Sequence, residues 1–440
     1  MVETDGLDSL AAYSSSASPS RKKKAADYFE EKMTRMDLPD QLDLSQVLQA
    51  FGNGSWPLTG EIDVASEGPP QHAEPVALVA VAAWALRAHR GGSRLRIADA
   101  LKSRYTLNVG LLSAIANKLP WSDEAGATDN FFPLCRIAGE RRVDAIPGGV
   151  VQTLHIPDAD SAAALATSIH EIVRNAEEHS RSDTPATFCA GWFRNQRRVT
   201  FAVADNGVGI LRALRRKGVA NLEDDDKSAI EKAIQPFVTG AGERGDIYAP
   251  DNAGLGLHNT RTAALDAGGS ITIFSGKACF YESYAKGQSW LDVGVPWPGT
   301  VVAVTLKTDR KNVSRLSPLT LGAIPAGSWA IRWEAYDGES VLLKPPVDAT
   351  RFAMNKAWYK EHQAIVSQAI AAGKRVHVDF GGARYSTQSA LHAFLATVVR
   401  ENGPEAMRLL SFSDAAEPLR DALRLVVMYA MDAYVRSHEA

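Results

Sequence analysis

The spacing of apolar residues changes several times along the chain, and each change marks an element. From Ser161 to Ser180, Leu165, Ile169, Ile172, Val173 and Ala176 recur every three or four positions, which predicts a helix with one buried stripe. From Arg198 to Ala204 the pattern becomes alternation, with Val199, Phe201 and Val203 on one face and Thr200 and Ala202 on the other, as in a strand. A helix is predicted over His258–Ala267. Gly268-Gly269 then turns the chain into a strand over Ser270–Ser275, and Val301–Leu306 is another. Upstream, Ala26–Met36 and Pro75–His89 read as helices and Ser93–Ala98 as a strand. Downstream, Ser328–Trp333 and Arg375–Phe380 read as strands, and Gln388–Arg400 and Glu417–Val435 as helices.

These patterns divide the chain into five stretches. Residues 1–25 form a Ser/Ala-rich, disordered basic tail, residues 26–140 an N-terminal α/β scaffold or partner domain, and residues 141–310 the block richest in motifs. Residues 311–345 are a connection, and residues 346–440 a smaller α/β unit. The net charge of -3 gives no global basic field for nucleic acid. The only local hint is Arg21, Lys22, Lys23 and Lys24 in the tail, which also fits a solvated basic run. Cys135, Cys189 and Cys279 lie far apart without metal-ligand spacing, as expected of small core residues in a reducing compartment. The longest apolar run, Pro75–Leu86, is too short to span a bilayer. The start lacks the pattern of a secretory signal, so a cytoplasmic protein without a membrane partner is expected.

Candidate chemistry concentrates in the central block. On the predicted helix over Ser161–Ser180, Glu171, Asn175, Glu178 and His179 fall in one row away from the apolar stripe. A carboxylate there can take a proton from an attacking hydroxyl, and an amide oxygen is a hard, neutral ligand for magnesium. The row also fits an exposed polar face. The strand Arg198–Ala204 runs into Asp205-Asn206-Gly207-Val208-Gly209-Ile210, an acceptor carboxylate followed by two glycines that admit a ligand close to the backbone. Asn252-Ala253-Gly254-Leu255-Gly256-Leu257 leads into the next helix, where free backbone N–H groups suit phosphate oxygens. Neither glycine motif is the dinucleotide fingerprint or the P-loop.

Taken in order, HEIVRNAEEHS (170–180), VADNGVGI (203–210), NAGLGLHNT (252–260) and PGT (298–300) resemble the Bergerat-type ATPase domain of the GHKL family, which includes gyrase, MutL, histidine kinases and anti-sigma-factor serine kinases. The motif pattern is most similar to that of the anti-sigma-factor kinases. The resemblance covers residues 141–310 and implies an α/β sandwich, a mixed and mainly antiparallel sheet covered by helices. It implies ATP and Mg2+ as ligands, with Asn175 holding the magnesium and Glu171 as general base. Asp205 would bind the adenine amino group with help from Thr300. Gly207, Gly209 and Ile210 would line the nucleotide, Gly254, Leu255, Gly256 and Leu257 would meet the phosphates, and His179 matches the kinase pattern. A mobile lid would lie within Leu211–Asp251, where Arg244 could reach a phosphate or be solvated. No phosphoacceptor-histidine helix precedes the block, and the second-domain lysine of gyrase and MutL is not identified.

The segment HVDFGGARYSTQSALHAFLATVV (377–399) resembles the STAS-like domains of bacterial regulators, with Ser386, Thr387 and Ser389 in the region of the expected phosphoacceptor. The usual Asp-Ser-Ser/Thr-Gly tetrad is absent, and Ser386 or Thr387 also fits a helix cap. Three functions are therefore expected, the first preferred. They are an ATP-hydrolysing regulatory switch that changes a protein-partner or homodimer surface, a serine/threonine kinase acting on a STAS-like domain, and a non-catalytic ATP-sensing adaptor.

Overall fold

The computed structural model describes residues 34–439 apart from 40, 53–59, 71, 126–129, 155–158, 217, 220–221, 236–237, 239–255, 309–330, 349–350, 354 and 387. Its frame is a five-stranded antiparallel sheet formed by β6 (Phe131–Ile137), β7 (Ala186–Phe193), β8 (Arg198–Ala204), β9 (Ser270–Ser283) and β10 (Gly287–Lys307), in the order β6-β7-β8-β10-β9. The earlier strands β1 (Thr34–Asp37), β2 (Gln41–Leu42), β3 (Glu61–Ala65), β4 (His72–Ala73) and β5 (Arg94–Ile97) form two small parallel sheets, β1-β3-β5 and β2-β4.

Alternation along the central strands sends different residues to the two faces of the large sheet. Val199, Phe201 and Val203 of β8, with Phe188 of β7 and Val302 and Val304 of β10, build one core. Ala202, Ala204, Cys189 and Ala303 point the other way. These residues are small, so a helix can lie close against them. That helix is α2 (Pro75–Arg90), preceded by α1 (Leu44–Gly52) and followed by α3 (Arg104–Asn108) and α4 (Leu111–Ile115). Helix α2 is apolar all round because it is covered all round, from the sheet on one side and from α1 and α4 on others. It is also tied to the sheet by Thr187 Oγ1, which donates to the Val79 carbonyl at 3.1 Å.

The opposite face carries α5 (Glu140–Leu154), α6 (Ala159–Ser180), α7 (Gly209–Arg216), α8 (Asp226–Ala233) and α9 (Gly256–Asp266). The long helix α6 packs between α5, α9 and the sheet, burying the predicted stripe Leu165, Ile169, Ile172, Val173 and Ala176. After the sheet come β11 (Val341–Leu343), α10 (Lys356–Ala371), β12 (Val376–Ala383), α11 (Gln388–Leu409), β13 (Leu410–Ala415) and α12 (Glu417–Glu439). Their parallel sheet β11-β12-β13 has a third core of its own. Strand β11 belongs to this sheet although it falls in the stretch read as a connection.

The chain is thus of mixed α/β class with a mainly antiparallel central sheet. Several local expectations change. Thr34–Met36 is strand, not helix, because it pairs with Ile62–Val64. Trp333 makes an isolated bridge to Phe412 rather than a strand. Strands β9 and β10 run far beyond the alternating runs, pairing with each other as a ribbon through Gly276 and Trp297, where the register shifts. Helix α11 continues past Arg400 but breaks at Gly403, whose φ is 49°, ahead of Pro404. No helix among the described residues is long and apolar enough to cross a membrane. All three cysteines are buried and unbonded to one another.

Candidate functional site

The end of β8 delivers Asp205 into the sheet interior, where the residue is only 4% exposed. Its main chain pairs across to β10, the N–H donating to the Thr300 carbonyl at 2.9 Å. Its carboxylate accepts from Gly207 N–H at 2.7 Å and from the Thr300 main chain. Burial pushes this carboxyl up to about 7, and those two N–H groups offset only part of the shift. A carboxyl held this way titrates near neutrality.

Gly207, in the loop after Asp205, and Gly299, beside it, have no room for a side chain. A Cβ on Gly207 would overlap the Ser180 carbonyl at the end of α6, and one on Gly299 would overlap Asp205. Gly209 has φ +73°, a left-handed conformation at the start of α7 that an L side chain rarely adopts. Ile210 N–H donates to Ser275 Oγ at 2.9 Å, and Ser275 Oγ donates to the Gly299 carbonyl at 3.0 Å, so the DxGxG and PGT segments share one hydroxyl. Three further residues fix the loop without belonging to the predicted set. Asn206 Nδ2 donates to the Ala83 carbonyl of α2 at 2.7 Å. Val208 N–H donates to the Ser180 carbonyl at 2.9 Å. Trp297 Nε1 donates to the Asp205 carbonyl at 3.0 Å, its ring packed on Phe51 and Phe274.

Helix α6 brings the second half of the site. Glu171 is half-buried, and a Cβ on Gly256, the first residue of α9, would overlap its Oε2. The carboxylate therefore lies against the N-terminus of α9. Asn175 is one turn further along α6 and is also half-buried. Glu178, of the same predicted row, is paired with Arg174 at 2.5 Å. His179 lies in the last turn of α6, and its side chain is outside what is described.

Gly254 and Leu255 lie outside the described residues, as do Arg244 and Arg21 to Lys24. Leu257 packs its side chain against the central core, as does Ile210. Helix α9 is clamped to β9 by Arg261, whose guanidinium makes two hydrogen bonds to Glu282, at 2.5 and 2.8 Å. The acidic run Glu223–Asp226 serves local structure: Asp225 caps α8 through Ser228 N–H, and Asp226 accepts from Lys277 N–H at 2.9 Å. No group of His, Cys, Asp and Glu fit for a metal occurs among the described residues.

In the C-terminal unit, Ser386 is fully buried and donates to the Tyr359 hydroxyl at 3.4 Å. Thr387 and the side chain of Ser389 lie outside what is described. The signal for Asn206 was present in the same short motif. Ser275, Trp297 and Ser180 carried none, because their partners are remote in sequence.

Against known proteins, no family model, no curated protein and no solved structure matches this chain.

Proposed function

We propose that this protein binds Mg-ATP between α6 and α9 and hydrolyses it slowly, as a regulatory switch. One observation carries the reading: a helix carboxylate, Glu171, abuts the glycine that opens α9. It stands beside an amide one turn away, in a fold whose only strongly desolvated described aspartate is Asp205. An anionic triphosphate fits the positive end of a helix of this length. Gly207, Gly256 and Gly299 let Ser180, Glu171 and Asp205 pack directly on the backbone, which draws the α6 carboxylate and Asp205 onto the glycine segments.

In this reading Asp205 accepts from the adenine amino group, with Thr300 alongside. Gly207, Gly209 and Ile210 form the wall by the ring. Gly254, Leu255, Gly256 and Leu257 supply main-chain N–H groups for phosphate. Asn175 holds magnesium, the ion that neutralises phosphate charge and orients the terminal phosphate. Glu171 takes the proton of the attacking water. A lid within Leu211–Asp251 closes over the nucleotide, and closure and reopening change a surface seen by a regulatory partner or a second copy.

Incubation of the purified protein with γ-labelled ATP and magnesium tests this reading. Free phosphate is expected from the wild type. Glu171→Ala is expected to lose at least about a hundredfold in rate with binding retained, the loss typical of a missing general base. Asn175→Ala is expected to lose magnesium-dependent binding. Absence of nucleotide binding in the wild type sinks the proposal. Label incorporated into protein instead favours a kinase, an outcome that the burial of Ser386 opposes for that residue.

A further inference from the structure

The C-terminal unit touches the central block on α6, one turn before Glu171. Tyr385 follows β12, and its backbone is fixed by an isolated bridge to Phe352, with Ala353 N–H donating to the Tyr385 carbonyl at 2.8 Å. The two rings pack edge to face at 6.0 Å. Both are buried, and together they cover Ala166 of α6, with Val151 of α5 at the margin. The Tyr385 ring is therefore held from behind by its own unit and pressed on α6 in front.

Its hydroxyl is hydrogen-bonded to the side chain of Thr167, and Glu171 lies near enough for its charge to act on it. Helix geometry explains why both occur together. Residues 167 and 171 are four apart, so they share a ridge, and a helical side chain leans toward the N-terminal turn. That tendency directs Glu171 over Thr167, toward the tyrosine. Burial and the Glu171 charge both raise the phenol's pKa, so it stays a neutral O–H donor. A phenol has one proton and two acceptor lone pairs, so it can accept from Thr167 while donating to a carboxylate.

We propose that Tyr385 is a positioning residue for Glu171: its hydroxyl, braced by Thr167, orients the carboxylate that faces Gly256, and the docked C-terminal unit thereby sets the competence of the site. This rests on the Mg-ATP reading for its consequence in turnover, but the positioning itself is measurable without nucleotide. Tyr385 is distinct from the serines and threonine first considered on this unit. It acts by presenting a hydrogen bond, and no group is transferred to it.

Tyr385→Phe is the informative variant, because it removes one oxygen and keeps the ring against Phe352 and Ala166. Two readouts apply. In nucleotide-free protein, the Glu171 carboxyl is titrated by carbon-13 NMR, its signal assigned by loss in Glu171→Gln. Losing a donor to the charged form moves its titration to higher pH. In turnover, kcat for ATP falls about tenfold with KM nearly unchanged, the pattern of a misplaced reacting group, and the acid limb of the kcat profile moves up with the titration. An unchanged Glu171 titration with wild-type kcat overturns the proposal. So does a variant in which kcat, KM and thermal midpoint worsen together, which marks a packing role alone. A wild type that binds no ATP, yet whose Glu171 titration shifts in Tyr385→Phe, refutes the ATP reading and keeps the positioning.

Discussion

At the scale of residues, the site is governed by how little room its backbone leaves and by one carboxyl taken out of water. Asp205 titrates near 7 because burial outweighs its two N–H partners. Since that value lies above the ordinary one, the native state binds more protons than the unfolded chain between about pH 4 and 7, and stability from this group is lost as pH rises through 7. Each unit of the shift is worth about 1.4 kcal/mol, so the span is a few kcal/mol at most. Asp205→Asn, whose amide oxygen still accepts from Gly207, is expected to flatten that slope in urea unfolding followed from pH 5 to 8. A slope unchanged by the substitution would assign the pH dependence to other groups. The acidic, amide and glycine members of the candidate site stand in short ordered motifs that the sequence displays: Glu171, Asn175, Asp205, Gly207, Gly209, Gly256. Ser275, Trp297 and Tyr385 do not. Each acts through a partner far away along the chain, such as Asp205 for Trp297, and periodicity does not report such pairs.

At the scale of elements, α9 is held in two ways that differ in kind. Its start is free of side chains at Gly256, and its middle is fixed by the Arg261–Glu282 pair, with Glu282 nearly buried and also accepting from Gln288 at 3.1 Å. Arg261→Met leaves a buried carboxylate with too few partners and is expected to cost about 3 kcal/mol, most of it regained when Glu282→Leu is added. Chemical unfolding of the single and double variants checks this; equal loss in both would mean that the pair does not hold the helix. Elements with strong period were read correctly in type: α2, α6, β8 and α12. Helix α5 escaped because Pro147 and Gly148-Gly149 punctuate it. Strand β7 escaped because seven of its apolar and small residues run without alternation, as suits a strand covered on both faces. Thr34–Met36 misled in the opposite direction, a helix-like composition overridden by pairing with β3.

At the scale of the whole molecule, the large sheet is shared. Helix α2 and its neighbours bury one face and α5, α6 and α9 the other, so residues 34–308 have two cores joined through the same strands. The C-terminal sheet closes a third core by itself. Calorimetry is expected to show two transitions, one for the shared sheet and one for residues 331–439, the first moving up with Mg-ATP. A single sharp transition would mean that the contact through Tyr385 and Phe352 welds the units into one. The pairing at Asp205 has a further consequence in time. The indole that caps its carbonyl lies 92 residues downstream, beyond the intervening helices and β9. At ribosomal rates of about 5 to 20 residues per second, a nascent chain waits roughly 5 to 18 s between making the aspartate and making the strand that closes over it. During that interval β8 has an unpaired edge on the side where β10 will lie, and α2, already synthesised, is the natural nursemaid for its exposed alanine face.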